Sequence, residues 1–199
     1  MATMRERLDQ GMSYQAFKDQ MTRNQDRFNA NEARFKLEPP ERAVFDKLPR
    51  PIPVLVLAED WCGDVIDNLP ILGGIAQETG KLDLRIFLRD QHTDLMDQYL
   101  KEGKYRSIPV FVFFDQDLQE LGRFVERPHA VTERRAQFRQ VLVAQHPEYG
   151  SADTPIDQLS EEVRSSIQQA TAEKRLEWKP LEEREVAQAI VAIAERAVR

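Results

Sequence analysis

The sequence predicts an α/β fold set between two helical extensions. Two observations predict it. From Val54 onward, short apolar runs of strand length alternate with segments of helical spacing, and the stretches before and after that region carry helical spacing alone. A chain of 199 residues accommodates one large domain with helical additions. This divides it into an N-terminal extension over 1–49, a central domain over 50–147 and a C-terminal extension over 148–199 that packs on the core.

In the first extension, Ser13 is placed to cap a helix whose apolar residues Phe17, Met21 and Phe28 recur near helical spacing. A short helix over Ala43–Leu48 is expected after Pro39-Pro40, and "PRPIP" then breaks the pattern because each proline removes a donor. "VLVLA" from Val54 is continuously apolar, as a strand covered on both faces should be. Asp64–Thr79 reads as a helix with Val65, Leu69, Leu72 and Ala76 on one face and Gly80 closing it. "LDLRIFL" is a second strand, and Thr93 caps a helix expected to run through "DLMDQYLKEG" to Gly103. "VFVFF" and "LQELGRFVE" form a hairpin around Asp115–Asp117, followed by a helix from about Thr132 to Gln145 with Phe138, Val141 and Leu142 inward. In the tail, Thr154-Pro155 opens a helix with the stripe Ile156, Leu159, Val163, Ile167 and Ala170. Pro180 opens the last one, with Val186, Ile190, Ile193 and Ala194 facing one way. These stripes pack on the central domain or, alternatively, on a second subunit.

Composition excludes several classes. Charged residues make up 31% of the chain and the formal charge is −6, so neither nucleic acid nor an anionic membrane is an expected partner. The longest apolar runs are strand-length, too short to span a membrane. "MATMRERLDQ" contains no secretory signal, and the single cysteine allows no internal disulfide; a cytoplasmic protein is expected. His92, His129 and His146 are dispersed, so no metal site is expected.

The segment "EDWCGDV" resembles the thioredoxin active-site segment Trp-Cys-Gly-x-Cys, at the end of a strand and the start of a helix. "RSIPVFVFF" resembles the segment that carries the cis-proline of that fold. With "FLRDQHTDLMDQYL" and "RFVERP" in the same order, residues 50 to 145 look like a bacterial branch of thioredoxin-like proteins with added helices. The resemblance implies a thioredoxin fold, a central mixed sheet flanked by helices, with a cis Ile108-Pro109 bond against the reactive cysteine. Two positions depart from the family pattern: its second cysteine is Val65, and its buried acid six residues before the first cysteine is Val56.

Cys62, the single cysteine, is therefore the candidate nucleophile. A thiolate at a helix N-terminus meets unpaired N–H groups and the positive end of the helix dipole, an effect of ~0.3–1 kcal/mol that lowers its pKa by a fraction of a unit. Glu59, Asp60 and Asp64 oppose it. Trp61 shields the sulfur or simply packs, and Gly63, Asp64, Val65 and Ile108 line the expected substrate groove beside Pro109. The hairpin returns "ERPHA" toward Pro109, so Arg127 or His129 is a candidate to lower the thiol pKa or hold an anionic group, with Arg89 as a further candidate. An ion pair of Arg127 with Glu126 or Asp90 is the alternative.

One thiol without a resolving partner forms a mixed disulfide that persists until an external thiol attacks it. The leading reading is a monothiol oxidoreductase acting on a protein disulfide or mixed disulfide, with no bound cofactor and with glutathione or another low-molecular-weight thiol as co-reactant. The alternative is a catalytically silent thioredoxin-fold module that binds a protein or peptide. A glutathione-transferase-like arrangement is weaker because the tail is short for that domain. An iron–sulfur role is weaker still because the segment Cys-Gly-Phe-Ser is absent.

Overall fold

The computed structural model describes residues 3–198; Met1, Ala2 and Arg199, at the outer ends of the predicted extensions, lie outside the described residues. The chain forms two compact units. One runs through Arg127 and resumes at Val186, and the other is Pro128–Glu185.

The first unit begins with four helices, α1 (Met4–Leu8), α2 (Tyr14–Gln20), α3 (Gln25–Arg34) and α4 (Pro39–Asp46). Ser13 caps α2 as predicted, its hydroxyl accepting the Ala16 N–H at 3.1 Å. Helix α4 starts at the proline pair, not at Ala43. Prolines in a first helical turn have no N–H that a helix would use, so they open this helix instead of preceding it. Phe17, Phe28 and Phe45 are fully buried and join one core with the strands; each such ring contributes roughly 1.5–3 kcal/mol by leaving water.

Strand β1 (Ile52–Ala58) starts two residues before the apolar run that predicted it, and α5 (Gly63–Thr79) follows, closed by Gly80 at φ 64°. Strands β2 (Leu82–Leu88) and β3 (Val110–Phe114) coincide with the predicted runs. Between them α6 is one turn, Thr93–Met96; Thr93 is its first residue and not its cap, and His92 holds the N-cap position without a side-chain cap bond. The longer helix expected to Gly103 does not form: after Met96 the N–H groups of Gln98 and Tyr99 turn to the Leu95 and Met96 carbonyls, and further on Glu102 and Gly103 take positive φ, at 54° and 67°, where Lys101 pairs back with Tyr105. Strand β4 (Glu120–Val125) is shorter than expected. The Asp115 carboxylate accepts the N–H groups of Asp117 and Gln119, which keeps the turn open through Leu118 at φ 60°.

The sheet order is β2-β1-β3-β4, with β1 parallel to β2 and antiparallel to β3, and β3 antiparallel to β4. This is the mixed sheet of a thioredoxin fold. Met12 and Ile86 exchange backbone hydrogen bonds on the outer edge of β2, and Arg196 donates to the Leu121 carbonyl on β4, so both edges are partly covered. Helix α5 contains Pro70, which leaves the Ile66 carbonyl without its usual N–H donor. The Asn31 side-chain amide fills that place at 2.7 Å. A buried carbonyl left unpaired would cost ~1–3 kcal/mol.

The second unit holds α7 (His129–Gln145), two single 3₁₀ turns and most of α8 (Glu161–Ala194). Helix α7 starts three residues before the predicted Thr132. Leu142 is buried as expected, but Val141 is 53% exposed and Val143 is buried in its place. Phe138 is half-buried and meets Trp178 edge to face at 5.4 Å. The helix predicted to open at Thr154-Pro155 is only the turn Ile156–Gln158, with Ile156 exposed. The helix proper begins after Ser160, whose hydroxyl accepts the Val163 N–H. Pro180 does not open a helix either but lies inside α8. Leu176, whose carbonyl loses its partner to that proline, is exposed to water, so solvent can take the bond. The predicted stripe Val186, Ile190, Ile193 and Ala194 is buried in the core of the first unit.

Candidate active site around Cys62

Cys62 stands where β1 gives way to α5. It is the N-cap residue of α5, with extended backbone at φ −83° and ψ 119°, and its carbonyl accepts the Ile66 N–H. The backbone between them turns sharply, with the Cys62 N–H donating to the Glu59 carbonyl at 3.3 Å. The Ile108–Pro109 bond is cis, and the half-buried Cys62 thiol donates to the Ile108 carbonyl at 3.5 Å. The helix start and the loop before β3 thus share one sulfur.

Burial pushes the Cys62 thiol above its ordinary pKa; the N–H groups of Val65 and Asp64 pull it down, and the Asp64 and Glu126 carboxylates push it further up. The predicted thiolate stabilisation by the helix N-terminus is therefore present and outweighed. Desolvation of the charged form wins.

The first unit brings most of the predicted residues to this place. Trp61 is 42% exposed, and the Arg89 guanidinium lies over its ring at 4.7 Å. Arg89 also pairs with Asp90 and donates to the Arg106 carbonyl, so its charge is engaged outside the sulfur's immediate contacts. Arg127 pairs with Asp64 at 2.5 Å and Glu126 at 2.6 Å. Its guanidinium thus lies against both carboxylates whose charge pushes the thiol pKa up. Lys101 holds the other oxygen of Glu126 at 2.6 Å. Glu126 itself is anchored in a left-handed conformation, φ 62°, by its N–H on the Pro109 carbonyl and by the Asn68 amide on its own carbonyl. Val65 is fully buried in the first turn of α5, and Val56 is fully buried in β1. His129 lies in the second unit, highly exposed, facing Glu133 one turn along α7. Among the described residues, no group of His, Cys, Asp or Glu is arranged to hold a metal ion.

Two acids of the motif, expected only to oppose the thiolate, make contacts that the sequence does not announce. Glu59 is buried and its carboxylate accepts the Asp90 N–H at 2.9 Å, tying the end of β1 to the end of β2. Asp60 accepts the N–H and hydroxyl of Thr22 and the N–H of Arg23 on one carboxylate oxygen, and its carbonyl accepts the Asn24 amide. The signals for these pairs were weak: an acid beside the motif, and polar residues between two apolar stripes.

The electrostatics give a signed prediction. Removing the charge of Asp64 with Asp64→Asn should lower the Cys62 pKa, and Arg127→Ala, which removes the cation paired with both Asp64 and Glu126, should raise it. A few tenths of a unit is the scale expected, one unit being ~1.36 kcal/mol. Alkylation rates across pH measure both shifts; superimposable curves for the three proteins would reject the assignment.

The thioredoxin family profile matches residues 11–139, well over half of the chain, and the chain belongs to that thioredoxin-like family. Among solved structures, the fold is similar to a Pseudomonas aeruginosa protein of unknown function, 22% identical, with a TM-score of 0.65 over 98% of both chains. It is also similar to an HIV epitope-scaffold, 20% identical, with a TM-score of 0.66 over 98% of each chain. A thioredoxin from Fasciola hepatica is 22% identical, with a TM-score of 0.32 over 48% of this chain and 86% of that one. A search of curated proteins found no match. Among the described residues, no helix is long and apolar enough to cross a membrane.

Proposed function

We propose that the protein is a monothiol thioredoxin-like oxidoreductase that works by thiol–disulfide exchange through Cys62. The observation that supports this best is the placement of its half-buried thiol at the N-cap of α5, 3.5 Å from the Ile108 carbonyl beside the cis peptide. Cys62 loses its proton and the thiolate attacks one sulfur of a disulfide R–S–S–R′. The Cys62–S–S–R bond forms as the R–S–S–R′ bond breaks, and R′–S⁻ leaves with the electron pair. An external thiol such as glutathione then attacks the mixed disulfide, carries R away as a new disulfide and returns the Cys62 thiolate. Trp61, Gly63, Ile108 and Pro109 border the groove, and Arg127 moderates the negative field around the sulfur. The substrate is a protein disulfide or mixed disulfide, and the single thiol fits a reducing, cytoplasmic compartment.

The raised thiol pKa favours a second reading, a binding module in which the same groove holds a peptide without chemistry. The two separate cleanly. Wild type exposed to a disulfide should gain the mass of one half of it on Cys62, and Cys62→Ser should gain nothing; a wild type that gains nothing supports the module.

A further inference from the structure

The loop that carries the thiol is gripped by the N-terminal extension at one residue. Asp60 occupies the second position of the turn that closes when the Cys62 N–H meets the Glu59 carbonyl. One oxygen of its carboxylate accepts three donors, the Thr22 N–H at 2.7 Å, the Thr22 hydroxyl at 3.1 Å and the Arg23 N–H at 3.1 Å. Its carbonyl accepts the Asn24 amide at 2.8 Å. Asn24 stands at the N-cap of α3 in a left-handed conformation, φ 57°, yet its side chain makes no cap hydrogen bond there. An N-cap asparagine ordinarily accepts an N–H of its own helix through its side-chain oxygen; here the bond the side chain makes is the donation from its nitrogen to Asp60.

The same extension also grips the helix that Cys62 caps. Arg27 forms a two-pronged pair with Asp67, and Asn31 donates to the Ile66 carbonyl. The residues on both sides of the sulfur are thus tied to one segment, Thr22–Asn31.

We propose that Asp60 is a positioning residue for Cys62: through its hydrogen bonds to Thr22, Arg23 and Asn24 it makes the N-terminal extension set how deeply the thiol is held in the site. This rests on the reading of Cys62 as the reactive group and adds a determinant of its reactivity. The charges nearest the sulfur, Asp64 and Glu126, are held separately by Arg127 and Lys101, so breaking the Asp60 anchor changes the burial of the thiol and leaves those ion pairs in place.

The test is the pH profile of Cys62 alkylation by N-ethylmaleimide in the full chain. Asp60→Ala removes the shared acceptor and frees the turn. Its profile should shift to lower pH, toward that of an unburied cysteine, and its high-pH rate should rise several-fold. Asp60→Asn keeps an acceptor oxygen and should restore most of the wild-type profile. Should Asp60→Ala fail to fold, Asn24→Gly removes only the amide while keeping a residue at ease with positive φ, and should shift the profile in the same direction by less. A folded Asp60→Ala whose profile superimposes on wild type overturns the proposal, as does an unshifted Asn24→Gly if that is the variant measured. Failure here is distinct from failure of the exchange reading. Alkylation reports the setting of the thiol whether or not wild type forms mixed disulfides, and mixed-disulfide formation reports exchange whether or not Asp60 matters.

Discussion

Val65→Cys is expected to supply the resolving thiol that the proposed exchange at Cys62 lacks, and so to speed turnover. Position 65 lies three residues after Cys62, in the first turn of α5, so the two side chains share a face. Residues so spaced on a helix have Cα atoms roughly 5–5.5 Å apart, inside the window a disulfide needs. Val65 is fully buried, so the new thiol would be a sheltered resolver, and the valine-to-cysteine change removes little volume from the core. With dithiothreitol as reductant, the variant should reduce insulin on the order of tenfold faster than wild type or better, read as the onset of turbidity. It should still fall short of a dithiol protein with an acid relay: Val56 supplies no proton transfer, a contribution that is typically ~10²–10⁴-fold. If the variant forms its internal disulfide and gains no turnover, the missing resolver is not the limiting defect.

The largest expected loss of stability comes from Gly73→Ala. A Cβ built on Gly73 would lie 2.1 Å from Tyr14 Cζ and 2.4 Å from its Cε2 and Oη. No methyl group fits at that distance, so α2 must move away from α5 or the ring must leave its place. The ring has little room, being buried with the Phe28 ring 6.0 Å away. Overpacking of this kind costs ~1–3 kcal/mol. For a chain of this size that is a fall in Tm of roughly 2–12 °C. Tyr14→Leu should cost less in the Gly73→Ala background than in wild type, because it removes the clashing atoms. An unchanged Tm for Gly73→Ala would show that α2 is not held against α5 in this way.

Much of the central domain was legible because its signals are local. The apolar runs of β2 and β3 end where the strands end, and Gly80 stops α5 where a left-handed residue was needed. Cys62 and Pro109 could be paired only through the resemblance, since nothing local links residues so far apart. What escaped the sequence has physical causes. The helix after Thr93 is shorter than its spacing suggests because the chain tightens to i→i−3 bonds at Gln98 and Tyr99, where no glycine or proline marks the stop. Pro180 was read as a helix start because proline usually interrupts a helix, whereas here the freed carbonyl belongs to a water-exposed residue. The Asn31 amide that completes α5 comes from a helix 35 positions earlier, and no periodicity announces such a pair. Motif reading places Arg127 near the thiol, but its pairing with Asp64 as well as Glu126 depends on a contact 63 positions apart that no local signal announces.

The central claim is that Cys62 exchanges with disulfides, and intact-mass measurement tests it most directly. Wild type and Cys62→Ser are incubated with oxidised glutathione at a pH of about 8.5, near the ordinary cysteine pKa, where a thiol held above that value still supplies some thiolate. Wild type should gain one glutathione on Cys62, lose it when reduced glutathione is added, and Cys62→Ser should gain none. A folded wild type that stays unmodified, while the same chain unfolded in urea is modified, would contradict the account and leave the site a binding groove.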